Sequence, residues 1–270
     1  MISMNSPDAT APHILAIETS GRIGSVAVGC GLEVREYRQF GQSMRHAVEL
    51  MPAIRELTRR QGWAASDINQ VYVSIGPGSF TGVRIAISVA RAISQATGAR
   101  LVGVPTLDVL AANLPAGVRN AAVILDAKRG QVYAGRYTAS DTAPPDPHSA
   151  PIGPARLLRT AGPVLSDPVE FIRQCPRPLL ILGEGIPYHS EALAAAGIGE
   201  ASVITAEKEL WQPDARRVYE LGTQLTAIGG FTALPDLLPI YIRKAEAEEV
   251  LEQKLQAAAA TQPPPRGTSG

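Results

Sequence analysis

The chain has 270 residues, and its 25 basic and 25 acidic side chains give a formal net charge of zero. This balance argues against an autonomous nucleic-acid-binding protein, which carries an excess of Lys and Arg to neutralise phosphates. Two cysteines, Cys30 and Cys175, are too few for a disulfide framework or a zinc site. Neither an apolar run as long as a membrane span nor a signal-peptide pattern is present in the sequence, so we expect a cytoplasmic protein without membrane contact.

The first half of the chain alternates apolar runs with polar or Gly-containing turns, which indicates short strands and helices. The first three runs predict an antiparallel meander. Pro52 lies inside the first helical run and predicts a kink or a break near Val48. In chain order we predict strands over 13–17, 23–30 and 31–37, a helix over 44–61, a strand over 71–75, a helix over 83–98 and a strand over 101–105.

The second half has a similar rhythm and predicts a second unit of strands and helices. It opens with a hairpin, and its longest amphipathic run predicts a helix late in the chain. The final residues are poor in apolar side chains and rich in Pro and Gly, which is typical of disorder. We predict strands over 121–127, 131–139 and 179–185, helices over 187–196 and 213–230, and a charged helix near the end.

A Gly-rich motif lies between a predicted strand and a predicted helix. Glycines at such a turn let backbone N–H groups approach an anion or another chain segment closely. The spacing matches neither a Walker A loop nor a dinucleotide motif. On spacing alone, a phosphate site and a tight structural turn both stay open. The residues concerned are Gly76, Gly78, Ser79, Thr81, Gly82 and Arg84.

Glu18, Thr19 and Ser20 follow the first predicted strand and form a second candidate site. A carboxylate and two hydroxyls in a turn could surround a phosphate or a metal, or the carboxylate could be purely structural. The histidines lie at no metal-ligand spacing, and no nucleophile, base and acid can be grouped by spacing. We therefore predict no catalytic and no metal-binding residue.

The helix predicted over 83–98 is rich in small side chains and has two apolar stripes. Small side chains allow neighbouring helices to approach closely, and two stripes allow the helix to face two neighbours. One neighbour would be the sheet. The other would be either an element of the same domain or a partner protein.

Taken together and in this order, seven segments resemble the bacterial TsaB (YeaZ-like) family. They extend from about residue 13 to about residue 248, and the run GPGSFTGVRI is specific to this family. The segments are ILAIETS (14–20), RHAVELMP (45–52), VSIGPGSFTGVRIAISVA (73–90), VGVPTLDVLA (102–111), ILDAKRGQVYAGRY (124–137), GEG (183–185) and PIYIRKAEAE (239–248).

The resemblance implies an α/β protein with an actin-like ATPase (ASKHA, ribonuclease H-like) fold. This fold has two lobes, each with a mixed β-sheet and flanking helices. We expect an N-terminal lobe over 1–109, a C-terminal lobe over 110–242, a C-terminal helix over 243–258 and a disordered tail over 259–270.

The resemblance also implies a function without catalysis. Proteins of this family are needed to add the threonylcarbamoyl group to the adenosine next to the anticodon in tRNAs that read codons starting with adenine. Their paralogue TsaD is the catalytic, metal- and nucleotide-binding subunit. The family member is a dimerisation platform that holds TsaD, helps to dock the ATPase TsaE and is expected to form a homodimer when alone. The resemblance implies no cofactor of this chain's own and contact with tRNA only through the complex. Whether ATP or ADP binds at the interface of the complex stays open.

Site residues can be carried over from the family at two places. Glu18 stands where actin-like phosphate loops carry Asp, so the turn Glu18, Thr19 and Ser20 is expected to be a degenerate phosphate loop. The interface helices of the family fall on 44–60 and 83–97. The residues expected at the partner interface are His46, Leu50, Ile54, Leu57, Val83, Ile87, Ala90 and Ile93.

Two other hypotheses remain open from the sequence. The Gly-rich motif motivates an autonomous ATP-binding or hydrolase-type enzyme of the actin-like and glycoprotease superfamily. A domain that keeps the fold to serve other partners is the third. Nucleotide titration and loss of the tRNA modification on depletion would separate them from the scaffold function.

Overall fold

A computed structural model describes residues 11–42, 45–140, 150–199 and 201–243 of the chain. Two five-stranded mixed sheets form its framework. The strands of the first sheet are β1 (His13–Glu18), β2 (Ser25–Cys30), β3 (Glu33–Gln39), β4 (Gln70–Ser74) and β5 (Arg100–Val104). Those of the second sheet are β6 (Asn120–Asp126), β7 (Val132–Ala139), β8 (Leu157–Ser166), β9 (Leu179–Leu182) and β10 (Val203–Thr205).

The two sheets have the same topology. The first runs β3-β2-β1-β4-β5 and the second, read from its other edge, runs β8-β7-β6-β9-β10. In each, three antiparallel strands form a meander, and two further strands join parallel to the first strand of that meander. The predicted meander, the predicted hairpin and the two-lobed actin-like architecture are confirmed.

Six helices flank the sheets in the described part of the chain. They are α1 (His46–Arg60), α2 (Phe80–Thr97), α3 (Thr106–Ala111), α4 (Pro168–Arg173), α5 (Ser190–Ala195) and α6 (Ala215–Ala227). Single turns of 3-10 helix lie at Ala65–Asp67, Ile186–Tyr188, Lys208–Leu210 and Leu234–Asp236. Helix α1 continues through Pro52 without the break that the sequence predicted.

The layers follow from the alternation of side chains along the buried strands, because successive residues face opposite sides of a sheet. Leu15 and Ile17 of β1 pack with α1 and α2 on the outer face of the first sheet. Ile14 and Ala16 point to the other face, into a core shared with α3, α6 and the second sheet. Helices α4 and α5 cover the far face of the second sheet. The order of layers is therefore helix, sheet, helix, sheet, helix.

The predicted lobe limits differ in two respects from the way that the elements pack. Helix α6 was assigned to the C-terminal lobe but packs on β1, β2 and β5 of the first sheet. The division between 109 and 110 also falls inside α3. The helix predicted over 243–258 lies, apart from Arg243, outside the described residues, as does the tail predicted over 259–270.

Candidate functional site

The turn after β1 packs directly on the Gly-rich motif. The backbone N–H of Ser79 donates to the carbonyl oxygen of Ser20 at 2.8 Å. The hydroxyl of Thr19 donates to the carbonyl oxygen of Gly82 at 2.7 Å. A Cβ atom at Gly78 would lie 2.5 Å from the Ser20 carbonyl oxygen. These glycines therefore serve the close approach of two chain segments, and the structural reading of the motif is the one that the geometry supports.

The remaining residues of the motif have separate roles. Gly76 adopts φ +95°, a left-handed conformation that favours glycine. Ser79 caps α2, because its hydroxyl accepts a hydrogen bond from the N–H of Gly82. The helix begins at Phe80, three residues earlier than predicted, so Thr81 lies on its first turn instead of in a loop. Thr81 and Arg84 are both exposed.

Glu18 is fully buried beneath this junction. Its Oε1 accepts hydrogen bonds from the N–H of Ser20 at 2.5 Å and from the Ser20 hydroxyl at 2.6 Å, and its Oε2 accepts one from the Ser74 hydroxyl. Burial raises the pKa of Glu18 to about 7, although the hydrogen bonds from Ser20 and Ser74 oppose the shift. Both carboxylate oxygens are thus engaged inside the protein, at the position where an actin-like phosphate loop carries its Asp.

A cleft of about 450 Å³ separates the turn after β1 from the second sheet. Arg22 enters it from the first sheet, donating its guanidinium to the Tyr188 hydroxyl and its backbone N–H to Glu184 at 3.4 Å. Lys128 and Asp126 form an ion pair at 2.7 Å on the opposite wall. Lys128 is therefore already paired with a carboxylate and the Arg22 guanidinium with a phenol hydroxyl, an arrangement less favourable for a polyphosphate than an unpaired basic site.

Titration of the carboxylates in the cleft follows from their surroundings. Burial raises the pKa of Glu184, and the nearby Arg22 only partly offsets this. Burial would also raise the pKa of Asp126, but hydrogen bonds and charge from Lys128 outweigh it, so its pKa is lowered. His189 Nε2 lies 3.2 Å from Asp126 Oδ1. Within residues 11–42, 45–140, 150–199 and 201–243, no group of three or more His, Cys, Asp or Glu side chains could hold a metal ion.

The residues predicted at the partner interface do not form an exposed stripe, and this part of the prediction is wrong. Seven of them are at most 5 % exposed and pack in the core under the first sheet, whereas Ile93 is half-buried. The physical reason is that the apolar faces of α1 and α2 are the ones that cover the sheet. The seven buried residues are His46, Leu50, Ile54, Leu57, Val83, Ile87 and Ala90.

His46 has a structural task at this place. Its side chain is buried, and its Nε2 lies 3.1 Å from the carbonyl oxygen of Gly21, to which it can donate as a neutral ring. Burial lowers the pKa of His46. The imidazole therefore supports the turn after β1 from within, instead of contacting solvent or a partner.

The outer faces of α1 and α2 expose apolar side chains that the sequence analysis did not single out. Val48 and Met51 on α1 are 58 % and 50 % exposed, and Phe80 on α2 is 43 % exposed. Tyr241 stacks on Phe80 with ring centroids 5.1 Å apart. Helical spacing alone could have found Val48, which precedes Leu50 by two positions and so lies on nearly the opposite side of α1, whereas Met51 lies beside the buried stripe. Together we call Val48, Met51, Phe80 and Tyr241 the outer apolar surface.

Comparisons with known proteins agree with this architecture. The family model described as TsaD, tRNA N6-adenosine threonylcarbamoyltransferase, matches residues 41–249. A Bacillus subtilis protein named tRNA threonylcarbamoyladenosine biosynthesis protein TsaB is 29% identical over 87% of this chain and 96% of its own length. The Escherichia coli protein of the same name is 26% identical over 90% of this chain and 99% of its own.

A solved structure supports the fold independently. The structure described as YeaZ from Pseudomonas aeruginosa superposes with a TM-score of 0.68 at 24% identity, covering 85% of this chain and 99% of that one. At this sequence identity, the structural similarity is evidence for the fold alone. Across the described residues, no helix is both long and apolar enough to span a bilayer.

Proposed function

Because the chain belongs to the TsaD family of tRNA N6-adenosine threonylcarbamoyltransferases and is TsaB-like within it, we propose that it is a non-catalytic subunit in the synthesis of threonylcarbamoyladenosine in tRNA. It holds a TsaD-like catalytic subunit, helps to dock a TsaE-like ATPase and contacts tRNA only through the complex. Alone it forms a homodimer. It acts in the cytoplasm.

The observation that carries the non-catalytic role is the filled junction between the turn after β1 and the Gly-rich motif. A phosphate group at this place would need the carboxylate or the backbone N–H groups of the turn. Instead, Glu18 is fully buried and bonded to Ser20 and Ser74. The N–H of Ser79 is bonded to the carbonyl oxygen of Ser20. The chain therefore has no nucleotide of its own in this proposal, and ATP or ADP belongs to the interface of the complex.

The partner surface that we propose is the outer apolar surface of Val48, Met51, Phe80 and Tyr241, in place of the buried residues first expected. Exposed apolar groups grouped on one face mark protein interaction sites more often than scattered ones do. Helices α1 and α2 contact each other and lie on the same side of the first sheet, so both can face one partner. This arrangement supports pairing through the two helices predicted from the family.

The proposal is tested with the isolated chain and with a TsaD-like subunit. Mass measurement should give a homodimer alone and a heterodimer in the mixture. Met51→Arg should weaken both by about tenfold or more, because it buries an unpaired charge at the seam. Ile204→Arg is the matched control, since Ile204 is 55 % exposed and lies in the second sheet. Equal loss of binding in both variants would argue against the surface.

Calorimetric titration with ATP and Mg²⁺ tests the other hypothesis. An autonomous ATPase would bind tightly and turn over nucleotide in the absence of partners. We expect neither with the isolated chain, and we expect nucleotide to bind after the TsaD-like subunit is added. Turnover by the isolated chain would overturn the non-catalytic role, whatever the outcome of the pairing experiment.

A further inference from the structure

A long groove follows the outer side of α2. Its volume is about 970 Å³, and its walls include Phe80, Arg84, Arg91 and Gln95 of α2 together with Tyr241 and Arg243. Arg84 and Arg91 form no ion pair with any residue in the described ranges, and the Arg84 guanidinium lies 5.0 Å from the centroid of the Phe80 ring. The groove is thus basic along a partly apolar floor.

Residues 240–243, the last described segment, are held against this groove by hydrogen bonds and ring stacking. The N–H of Ile240 donates to the carbonyl oxygen of Ile75 at 2.7 Å. Tyr241 stacks on Phe80, with 5.1 Å between centroids. The Arg243 guanidinium donates to the carbonyl oxygen of Ala127 and to the side chain of Gln131. The chain after Arg243 consequently starts at the wall of the groove.

The sequence that follows Arg243 is complementary to the groove in charge. Residues 244–256 read KAEAEEVLEQKLQ, with glutamates at 246, 248, 249 and 252 against lysines at 244 and 254. Ala247, Val250, Leu251 and Leu255 recur at helical spacing, which predicts an apolar stripe beside the acidic one. Thirteen helical residues extend about 20 Å, and the part of α2 from Phe80 to Gln95 extends about 22 Å.

We propose that residues 244–256 bind in the α2 groove of their own subunit. Their glutamates face Arg84 and Arg91, and their apolar stripe packs beside Phe80. The covalent link supplies a high effective concentration, so a weak contact suffices and a partner can displace it. The segment covers part of the outer apolar surface. Its regulatory consequence, competition with the TsaD-like partner, therefore rests on the proposed function, whereas the docking itself does not.

Cysteine cross-linking in the full-length chain tests the docking. Ser88→Cys, exposed on α2 and lining the groove, is paired with Gln253→Cys in a background with Cys30→Ala, and a short bismaleimide is added. We expect a cross-link within one chain. The matched control replaces Ser88→Cys with Glu220→Cys, an exposed position on α6, which packs on the opposite face of the first sheet. A yield equal to the control, or a cross-link mainly between two chains, would overturn the proposal.

Charge reversal distinguishes specific docking from chance encounters. Arg84→Glu with Arg91→Glu should lower the rate of cross-linking about fivefold or more, as expected for the loss of two partly exposed ion pairs. Adding Glu248→Lys, Glu249→Lys and Glu252→Lys to that variant should restore most of the rate. A rate insensitive to both changes would argue against the proposal.

Addition of a TsaD-like subunit separates the two proposals. If it binds and the cross-link within the chain declines, competition is supported. If it binds and the yield is unchanged, competition is refuted and docking stands. Failure of the subunit to bind even the variant with Glu248→Lys, Glu249→Lys and Glu252→Lys, in which docking is weakened, would overturn the proposed function alone.

Discussion

Thr19 and Gly82 lie against each other so closely that a Cβ atom at Gly82 would sit 1.9 Å from the Thr19 carbonyl oxygen. The Thr19 hydroxyl also donates to the Gly82 carbonyl oxygen at 2.7 Å. Two turns that could each have bound a phosphate are thereby joined into one buried junction. Position 82 requires glycine because a neighbouring backbone occupies the space that a side chain would fill, which is a requirement of packing and not of ligand binding.

Gly82→Ala should therefore destabilise the subunit. The added methyl group would overlap the Thr19 backbone in the turn after β1 and crowd the His46 ring, and such overpacking costs about 1–3 kcal/mol. Chemical denaturation measures the loss. Gly41→Ala is the control, because its Cβ would meet only the Glu49 carboxylate, at 3.9 Å. Equal stability of the two variants would show that the junction is loose.

The buried carboxyl of Glu18 should make stability depend on pH. Its folded-state pKa of about 7 lies above the ordinary glutamate value of 4.5, so the folded protein holds a proton that the unfolded chain releases between these pH values. Stability from this group is fully present below about pH 4.5 and is lost as the pH rises through about 7.

Glu18→Gln should flatten that dependence. The amide is nearly isosteric with the protonated carboxyl and can accept from Ser20 while donating to Ser74. We expect the unfolding free energy of the variant, relative to the parent chain, to improve as the pH rises from 5 to 8 in urea titrations. Glu33→Gln, on the exposed strand β3, is the control. A parent and a Gln variant with parallel pH profiles would contradict the assignment.

Ala90→Arg should destabilise the fold, whereas Met51→Arg should weaken association. Ala90 is fully buried under the first sheet, and an arginine there has no room and no partner, so we expect a loss of about 4 kcal/mol or more. Met51 is 50 % exposed, and its replacement should leave the melting temperature nearly unchanged while weakening dimer formation. Thermal melts combined with mass measurement distinguish the two. If Ala90→Arg folded normally and lost only its ability to pair, this result would support the interface residues that the sequence predicted.

The central strands β1, β2 and β4 of the first sheet were predictable because they are buried on both faces and appear as continuous apolar runs. Strand β8 was not predicted. It runs from Leu157 to Ser166 at the edge of the second sheet, is mostly half-exposed, and contains the pair Gly162 and Pro163. Proline is confined to edge positions because it cannot donate to the ladder, so such a strand has a weak sequence signal.

The sequence predicted which segments form the candidate site but not which sides of the helices are exposed. The sequence located the turn at Glu18, the Gly-rich motif and the helices that became α1 and α2. Both helices carry apolar residues on two sides, and only the long-range packing of the sheet decides that Ala90 is covered while Phe80 is exposed. The contact of Phe80 with Tyr241 joins positions far apart in the chain. Local periodicity holds no information about such a pair.

Removal of the hydroxyl group from Tyr137 and from Tyr188 should lower the free energy of unfolding by different amounts. The Tyr137 hydroxyl, fully buried, donates to Asp108 Oδ1 at 2.8 Å. Burial raises the pKa of Asp108, and this hydrogen bond and Arg159 oppose the shift. Tyr137→Phe removes a hydrogen-bond partner from a carboxyl that is mostly buried, which costs about 1–3 kcal/mol.

Tyr188 offers the matched comparison, since its hydroxyl accepts from Arg22 across the cleft while its side chain is 49 % exposed. Water can replace that contact in Tyr188→Phe, so the expected loss is below about 1 kcal/mol. Urea denaturation of both variants at one pH measures the difference. A larger loss at Tyr188 than at Tyr137 would mean that the bridge across the cleft, and not the buried core between the sheets, dominates the association of the two lobes.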